Sequence, residues 1–167
     1  MFLVHAQGDN DMSQPIRIRV TAIIVRDDKL LLIKCHDEPF GLHYNVPGGG
    51  LEYGETLEDA LRREIKEETC VDIDVGPLMM LFEVLRPDEA LPKGIYHSLG
   101  VFFKCTILNG DEPRLPDTPD EFQIGVEWVA IEDLANIPLL PRHGELLQNI
   151  IQRDDPAPLI YQSRSPY

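Results

Sequence analysis

The sequence predicts an α/β fold with a mixed β-sheet in one domain, and three observations point there. Short runs rich in β-branched residues recur along the chain. One strongly amphipathic helix interrupts them directly after a glycine run. No internal repeat or second hydrophobic block breaks the order. A length of 167 residues suits a single core, and contents of 43% hydrophobic and 26% charged residues exclude fibrous and disordered classes.

Residues 1–14, with Gly8, Asp9, Asn10, Asp11, Ser13 and Gln14, read as a mobile leader. Ile16 to Val25 reads as a strand, Asp27-Asp28 as a turn, and Leu30 to Ile33 as a second, more buried strand. His36 to Tyr44 gathers Asp37, Glu38, Pro39 and Gly41 and reads as a loop. Gly48-Gly49-Gly50 favours neither helix nor strand and is expected to be irregular. Thr56 to Thr69 is the best helix. Thr56 can cap it, Asp59 stands where a capping-box partner would, and Leu57, Ala60, Leu61 and Ile65 form one apolar stripe. Further strands are expected at Val71–Val75, Leu78–Leu85, Tyr96–Leu108 and Ile124–Ile131, with a long loop from Asn109 to Glu121. A short helix is expected near Glu132 and another from Arg142 to Arg153, stopped by Asp154-Asp155-Pro156. The organisation expected is therefore a leader over 1–14, a domain over 15–155 and a tail over 156–167.

Charge narrows the function classes. There are 29 acidic residues against 15 basic ones, a formal net charge of -14. Nucleic acid and anionic membranes both need a positive patch, so neither is expected as a partner. An anionic small molecule would be repelled too, unless cations intervene. Cys35, Cys70 and Cys105 form no close pair, so reduced thiols and a cytoplasmic location are expected rather than disulfides or zinc. Met1 to His5 lack a basic flank, and no run reaches the length of a membrane span.

The chemistry concentrates on the best helix. Glu64, Glu67 and Glu68 lie at i, i+3 and i+4, which puts about three negative charges within one turn. Their repulsion destabilises an isolated helix, and a hard divalent cation with oxygen ligands relieves it. The glycine run before the helix lets backbone approach a ligand closely, and Glu55 stands just before the cap. In order, Gly49, Glu55, Arg63, Glu64, Ile65, Glu67, Glu68 and Val71 match G-x5-E-x7-R-E-U-x-E-E-x-G-U, where U is bulky and apolar. Chance would give this match on the order of once in 10⁷ windows at average residue usage.

That segment, GGLEYGETLEDALRREIKEETCV from Gly49 to Val71, resembles the Nudix box. The one departure is Cys70, where the family has glycine. A left-handed residue there would cost about 1–2 kcal/mol. The resemblance implies a Nudix-type α/β/α sandwich with a mixed β-sheet and metal-dependent hydrolysis of a nucleoside diphosphate linked to another group. It implies metal ions, Mg²⁺ or Mn²⁺, held by Glu64, Glu67 and Glu68, with the Gly49 carbonyl and Glu55 assisting and Arg63 orienting a glutamate. The general base would be a box glutamate or a distant loop acid, for which Glu121 and Asp120 are candidates. Metal ions would also let so acidic a chain hold an anionic nucleotide.

Substrate identity lies outside the box. Phe40, Tyr44, Tyr96 and Phe103 are candidates to stack on a base. Pro87, sixteen residues past Val71, has a spacing associated with relatives that cleave ADP-ribose, whereas Pro47 before the glycines resembles those that act on nucleoside triphosphates. The tyrosine near residues 87–89 associated with dinucleoside polyphosphate hydrolases is missing. Two other classes stay open. One is a non-catalytic nucleotide-binding or regulatory protein of the same fold, which usually has lost box carboxylates. The other is an isomerase of allylic diphosphates, which needs a catalytic cysteine and glutamate in a deep apolar pocket, where the sequence does not place Cys35 or Cys105. Many relatives dimerise, so the resemblance also allows a homodimer.

Overall fold

Alternation along the first strand decides how the layers form. In a computed structural model, which describes residues 15–38, 40–87, 95–153 and 159–163, β1 runs over Arg17–Arg26. Val20, Ala22 and Ile24 point to one face and pack with Ala60, Leu61 and Ile65 of helix α1 (Leu57–Thr69). Ile23 points the other way, into a second cluster with Leu147 and Ile150 of helix α2 (Gly144–Gln152). The two helices thus cover opposite faces of the sheet, giving the α/β/α sandwich.

The remaining strands are β2 (Lys29–Asp37), β3 (Gly41–Asn45), β4 (Gly48–Gly50), β5 (Ile73–Pro87), β6 (Ile95–Ile107), β7 (Gln123–Ala130) and β8 (Leu159–Ser163). Their order is β3-β2-β1-β6-β5-β8, with β4 added to β1 and β7 to β2. The β1–β6 and β5–β8 pairs are parallel and the others antiparallel, so the sheet is mixed. Strand β1 serves two neighbours in turn. Arg19 to Thr21 pair with β4, whereas Val25 and Arg26 pair with β2 across a turn in which Asp27 and Asp28 both have positive φ.

Several expected elements differ from those observed. The segment from His36 to Tyr44 is not all loop: β2 continues to Asp37, and Gly41–Asn45 pairs back on it as β3. The glycine run is extended, not irregular, because it completes a ladder on β1. Val71–Val75 and Leu78–Leu85 merge into β5, and a register shift between Val75 and Leu78 absorbs Pro77, which has no N–H for the ladder. Part of the expected tail, Leu159–Ser163, adds to the edge of β5 as β8. The helix near Glu132 is a 3₁₀ turn over Ile131–Asp133. The leader over 1–14 lies outside the described residues. Among those described, no helix is long and apolar enough to cross a membrane.

Candidate active site

Helix α1 starts where its cap predicts. The Asp59 N–H donates to Thr56 Oγ1 at 3.1 Å, and the Thr56 hydroxyl donates back to the Asp59 carboxylate at 2.7 Å. Its apolar stripe is buried against β1, which turns Arg63, Glu64, Glu67 and Glu68 away from the core. The helix ends at Cys70 with φ 64°, the left-handed conformation expected of the family glycine.

Strand β4 is squeezed between this helix and β1, and that explains the glycines. A Cβ at Gly48 would overlap the Val20 carbonyl, and one at Gly49 would overlap the Glu64 carboxyl. The backbone of the glycine run therefore lies directly against the box carboxylates.

Arg63 gathers the acidic groups. Its Nε and Nη2 donate to both oxygens of Glu55 at 2.7 and 2.9 Å. Its Nη1 donates to Glu64 at 2.8 Å and, more weakly, to Glu67 at 3.3 Å. Nη2 also reaches the Gly50 carbonyl at 3.1 Å. The guanidinium holds the Glu55 carboxyl below the usual carboxylate range, helped by the Glu52 N–H. Arg63 is therefore more than an i,i+4 partner of Glu67.

Glu68 is set differently. It is half-buried, and its carboxyl accepts a hydrogen bond from the Gly48 N–H at 2.7 Å. Burial pushes its pKa up to about 8; Arg19 and the Gly48 N–H oppose that shift, while Glu64 and Asp120 add to it. Arg19 in turn donates to the Gly48 carbonyl, and the Gln123 amide donates to the Glu68 carbonyl at 2.8 Å. A cavity of about 200 Å³ opens here, with Arg19, Cys35, Asp37, Asn45, Glu68 and Asp120 among its walls.

The other expected residues divide. Asp120 and its neighbour Glu121 are both exposed, but of the two it is Asp120 that reaches the cavity wall. Phe40 and Tyr96 line a second cavity of about 290 Å³, whose floor carries Phe82 and Phe102 and whose wall includes His143. Tyr44 lines neither cavity: its hydroxyl donates to Glu127 at 2.9 Å, and Lys34 holds the other oxygen of that carboxylate at 2.6 Å. Phe103 packs in the core under α1. Cys35 and Cys105 are buried, on different strands, and burial pushes both thiols up, Cys105 to about 12. Arg19, Asn45, Gln123 and His143 were not anticipated. The signal for Arg19 was available: Arg17, Arg19 and Thr21 alternate with apolar residues, which is how a strand presents one polar face.

Arg19 and Asn45 line both cavities, so the two adjoin at the glycine run. The model of the NUDIX domain matches residues 15–150. The chain belongs to the Nudix family. A curated Nudix relative, the ADP-ribose pyrophosphatase of Methanocaldococcus jannaschii, is 38% identical over 94 residues, 56% of this chain and 53% of that protein. The nucleoside triphosphatase NudI of Escherichia coli is 39% identical over 135 residues, 74% of this chain and 88% of that protein. The chain spans about half the length, or less, of several curated relatives that it matches. Among solved structures, a MutT Nudix hydrolase of Burkholderia pseudomallei superimposes with a TM-score of 0.66 at 25% identity, covering 83% of this chain and all of that one.

Whether this Nudix site suits a divalent cation can be judged from its donors. Among the described residues, no three His, Cys, Asp or Glu side chains close into a ready cage. Instead Arg63 draws off Glu55, Glu64 and Glu67, and the half-buried Glu68 carboxyl feels the charges of Glu64 and Asp120. Carboxylate oxygens crowded against the glycine-run backbone are a hard-cation donor set, and their mutual repulsion is what such an ion would relieve.

Proposed function

We propose that this protein is a metal-dependent hydrolase of the diphosphate bond in a nucleoside diphosphate linked to another group. The observation that carries this reading is the half-buried Glu68 carboxyl, which lines a cavity with Asp120, has Glu64 nearby and is held by the Gly48 N–H. A carboxylate so placed is costly unless a ligand offsets its charge.

Glu64, Glu67 and Glu68 would hold Mg²⁺ or Mn²⁺, with the Gly49 carbonyl and Glu55 assisting. Bound divalent cations would neutralise the diphosphate oxygens and make a water easier to deprotonate. Arg63 fixes Glu55 and Glu64 relative to one another by its paired hydrogen bonds. Arg19 offers a guanidinium at the junction of the two cavities, where a phosphoryl oxygen entering the site would meet it. Asp120 would take the proton from the attacking water, because of the two loop acids it alone lines the cavity with Glu68. Water then adds to one phosphorus, the bridging oxygen leaves with the other phosphoryl group, and two phosphate monoesters result when the substrate is a diester.

The second cavity would hold the nucleoside, with Phe82, Phe102 and Phe40 giving apolar surface. The relatives named above include an ADP-ribose pyrophosphatase and a nucleoside triphosphatase, so both classes belong in the test. The experiment is product release from ADP-ribose, sugar nucleotides, ordinary and oxidised nucleoside triphosphates and dinucleoside polyphosphates, with Mg²⁺, Mn²⁺ or chelator. Turnover that chelator abolishes is expected for one class. Absence of turnover in a protein that still binds nucleotide would favour a non-catalytic role.

A further inference from the structure

The loop carrying Asp120 is fastened to the box helix on either side of that residue. Helix α1 ends at Thr69, so the carbonyls of Glu68 and Thr69 find no N–H within the helix itself. Both are met from the loop. The Arg114 N–H donates to the Thr69 carbonyl at 3.0 Å, and the Gln123 side-chain amide donates to the Glu68 carbonyl at 2.8 Å. The Gln123 N–H in turn donates to the Asp120 carbonyl at 2.9 Å, which closes a turn over residues 120–123.

A bulge in β7 makes this tie possible. Trp128 pairs with Leu31, and both pack in the cluster under α1, whereas Val129 pairs with Leu30 in the cluster under α2. Unbroken alternation would therefore turn Gln123 toward the α2 face. The register instead steps from Lys34 opposite Gly125 to Cys35 opposite Gln123, which inserts Ile124 as an extra residue. Gln123 thereby takes the face of Cys35, which by alternation along β2 is the face of Leu31 and α1. The outcome is a buried glutamine beside an exposed isoleucine, the reverse of what the hydrophobic effect favours. Gln123 also lines the 200 Å³ cavity together with Glu68 and Asp120.

We propose that Gln123 is a positioning residue, which holds the Asp120 carboxyl in place relative to Glu68 for proton transfer from the attacking water. Its side chain is bonded to the backbone of Glu68 and its own backbone to that of Asp120, so one residue links the two acids. Asp120 is exposed, and packing does not fix it; the turn and the glutamine tie do. Precision matters here, because a displacement of about 1 Å at a reacting group can cost on the order of 100-fold in rate. This inference rests on the hydrolase reading, in which Asp120 is the base.

Gln123→Met keeps the length of the side chain and removes its donor. On whichever member of the substrate panel is turned over, kcat should fall about 10–100-fold with KM changed less than about 2-fold. In an Asp120→Asn background the same substitution should cost less than about 2-fold more, because the group that it positions is already gone. Gln123→Asn, one methylene short, should show the same pattern and serves if the methionine variant fails to fold. Amide hydrogen exchange of the metal-free full chain reads the tie apart from turnover. The Arg114 and Gln123 N–H groups should exchange about 10-fold or more faster in the variant, relative to those inside α1. Losses that multiply in the double variant, a fully active Asp120→Asn, or unchanged exchange would each overturn the proposal. Failure of the hydrolase reading is a separate result, the absence of metal-dependent turnover across the panel, and exchange would still test the tie.

Discussion

Arg63 grips both oxygens of Glu55, eight residues back across the helix cap, at 2.7 and 2.9 Å. The same guanidinium holds Glu64 and touches the Gly50 carbonyl, so one side chain ties the loop before α1, the helix and the glycine run together. Lysine cannot reproduce that fork, because an ammonium is a point charge. Arg63→Lys should fold normally, lower turnover by about 10–100-fold and need more metal for half-maximal rate. Rates measured across a Mg²⁺ titration would check this. An unchanged metal dependence would remove Arg63 from the organisation of the site.

The helix was legible because its signals are local: the Thr56 cap, the stripe Leu57-Ala60-Leu61-Ile65 and the carboxylates at i, i+3 and i+4 all lie within one short segment. What escaped was set by pairing between distant segments. Gly41–Asn45 is extended only because β2 offers it a partner, and Gly48–Gly50 only because β1 does. Tyr44, an aromatic residue beside the box in sequence, is drawn to Glu127 by a strand 83 residues away. Gln123 reaches Glu68 through a bulge in the register of β7 with β2, which no periodicity in a single segment could reveal.

Glu68 is the most consequential carboxylate. Glutamine keeps its volume and an oxygen for the Gly48 N–H, so Glu68→Gln should fold. Activity at saturating Mg²⁺ should fall by at least about 100-fold, since a group acting on developing charge is gone. Near-wild-type turnover would show that Glu68 is no ligand.

The two loop acids can be separated by a paired experiment. Both are exposed, but Asp120 lines the cavity with Glu68 and Glu121 does not. Asp120→Asn should lower kcat by about 100-fold or more, with KM little changed, as removal of a general base does. Glu121→Gln should leave both constants near wild type. The reverse pattern would assign the proton transfer to Glu121, and two silent variants would return it to a box glutamate.

Cys70 gives a test of stability alone. Its φ of 64° places a side chain in the left-handed region, although its N–H still closes the helix on the Lys66 carbonyl at 3.0 Å. Cys70→Gly should remove about 1 kcal/mol of strain, partly offset by the greater freedom of glycine in the unfolded chain. A rise in the urea midpoint with an unchanged slope would show it. A fall would mean that the thiol's packing outweighs the strain.

His143 ties stability to pH. It is 5% exposed, packed between Phe82 and Phe102, and its Nδ1 bonds to the Pro141 carbonyl. That bond makes Nδ1 the protonated nitrogen and leaves Nε2 a buried acceptor without a partner among the described residues. Burial therefore pushes the pKa down from 6.5 to about 4, against the opposing pull of the Pro141 carbonyl. A depressed folded-state pKa means that the unfolded chain takes up the proton first as pH falls. The contribution is present above pH 6.5 and is lost as pH falls toward 4, by about 3 kcal/mol in all. His143→Phe removes the titration while keeping a flat ring in the aromatic cluster. Whatever the variant's stability at pH 7, it should lose less than the wild type on acidification. Urea unfolding of both proteins between pH 7 and pH 4 measures the difference. Curves that fall in parallel would mean that His143 is protonated as readily when folded as when unfolded, and the orphaned Nε2 would then have to be reached by solvent.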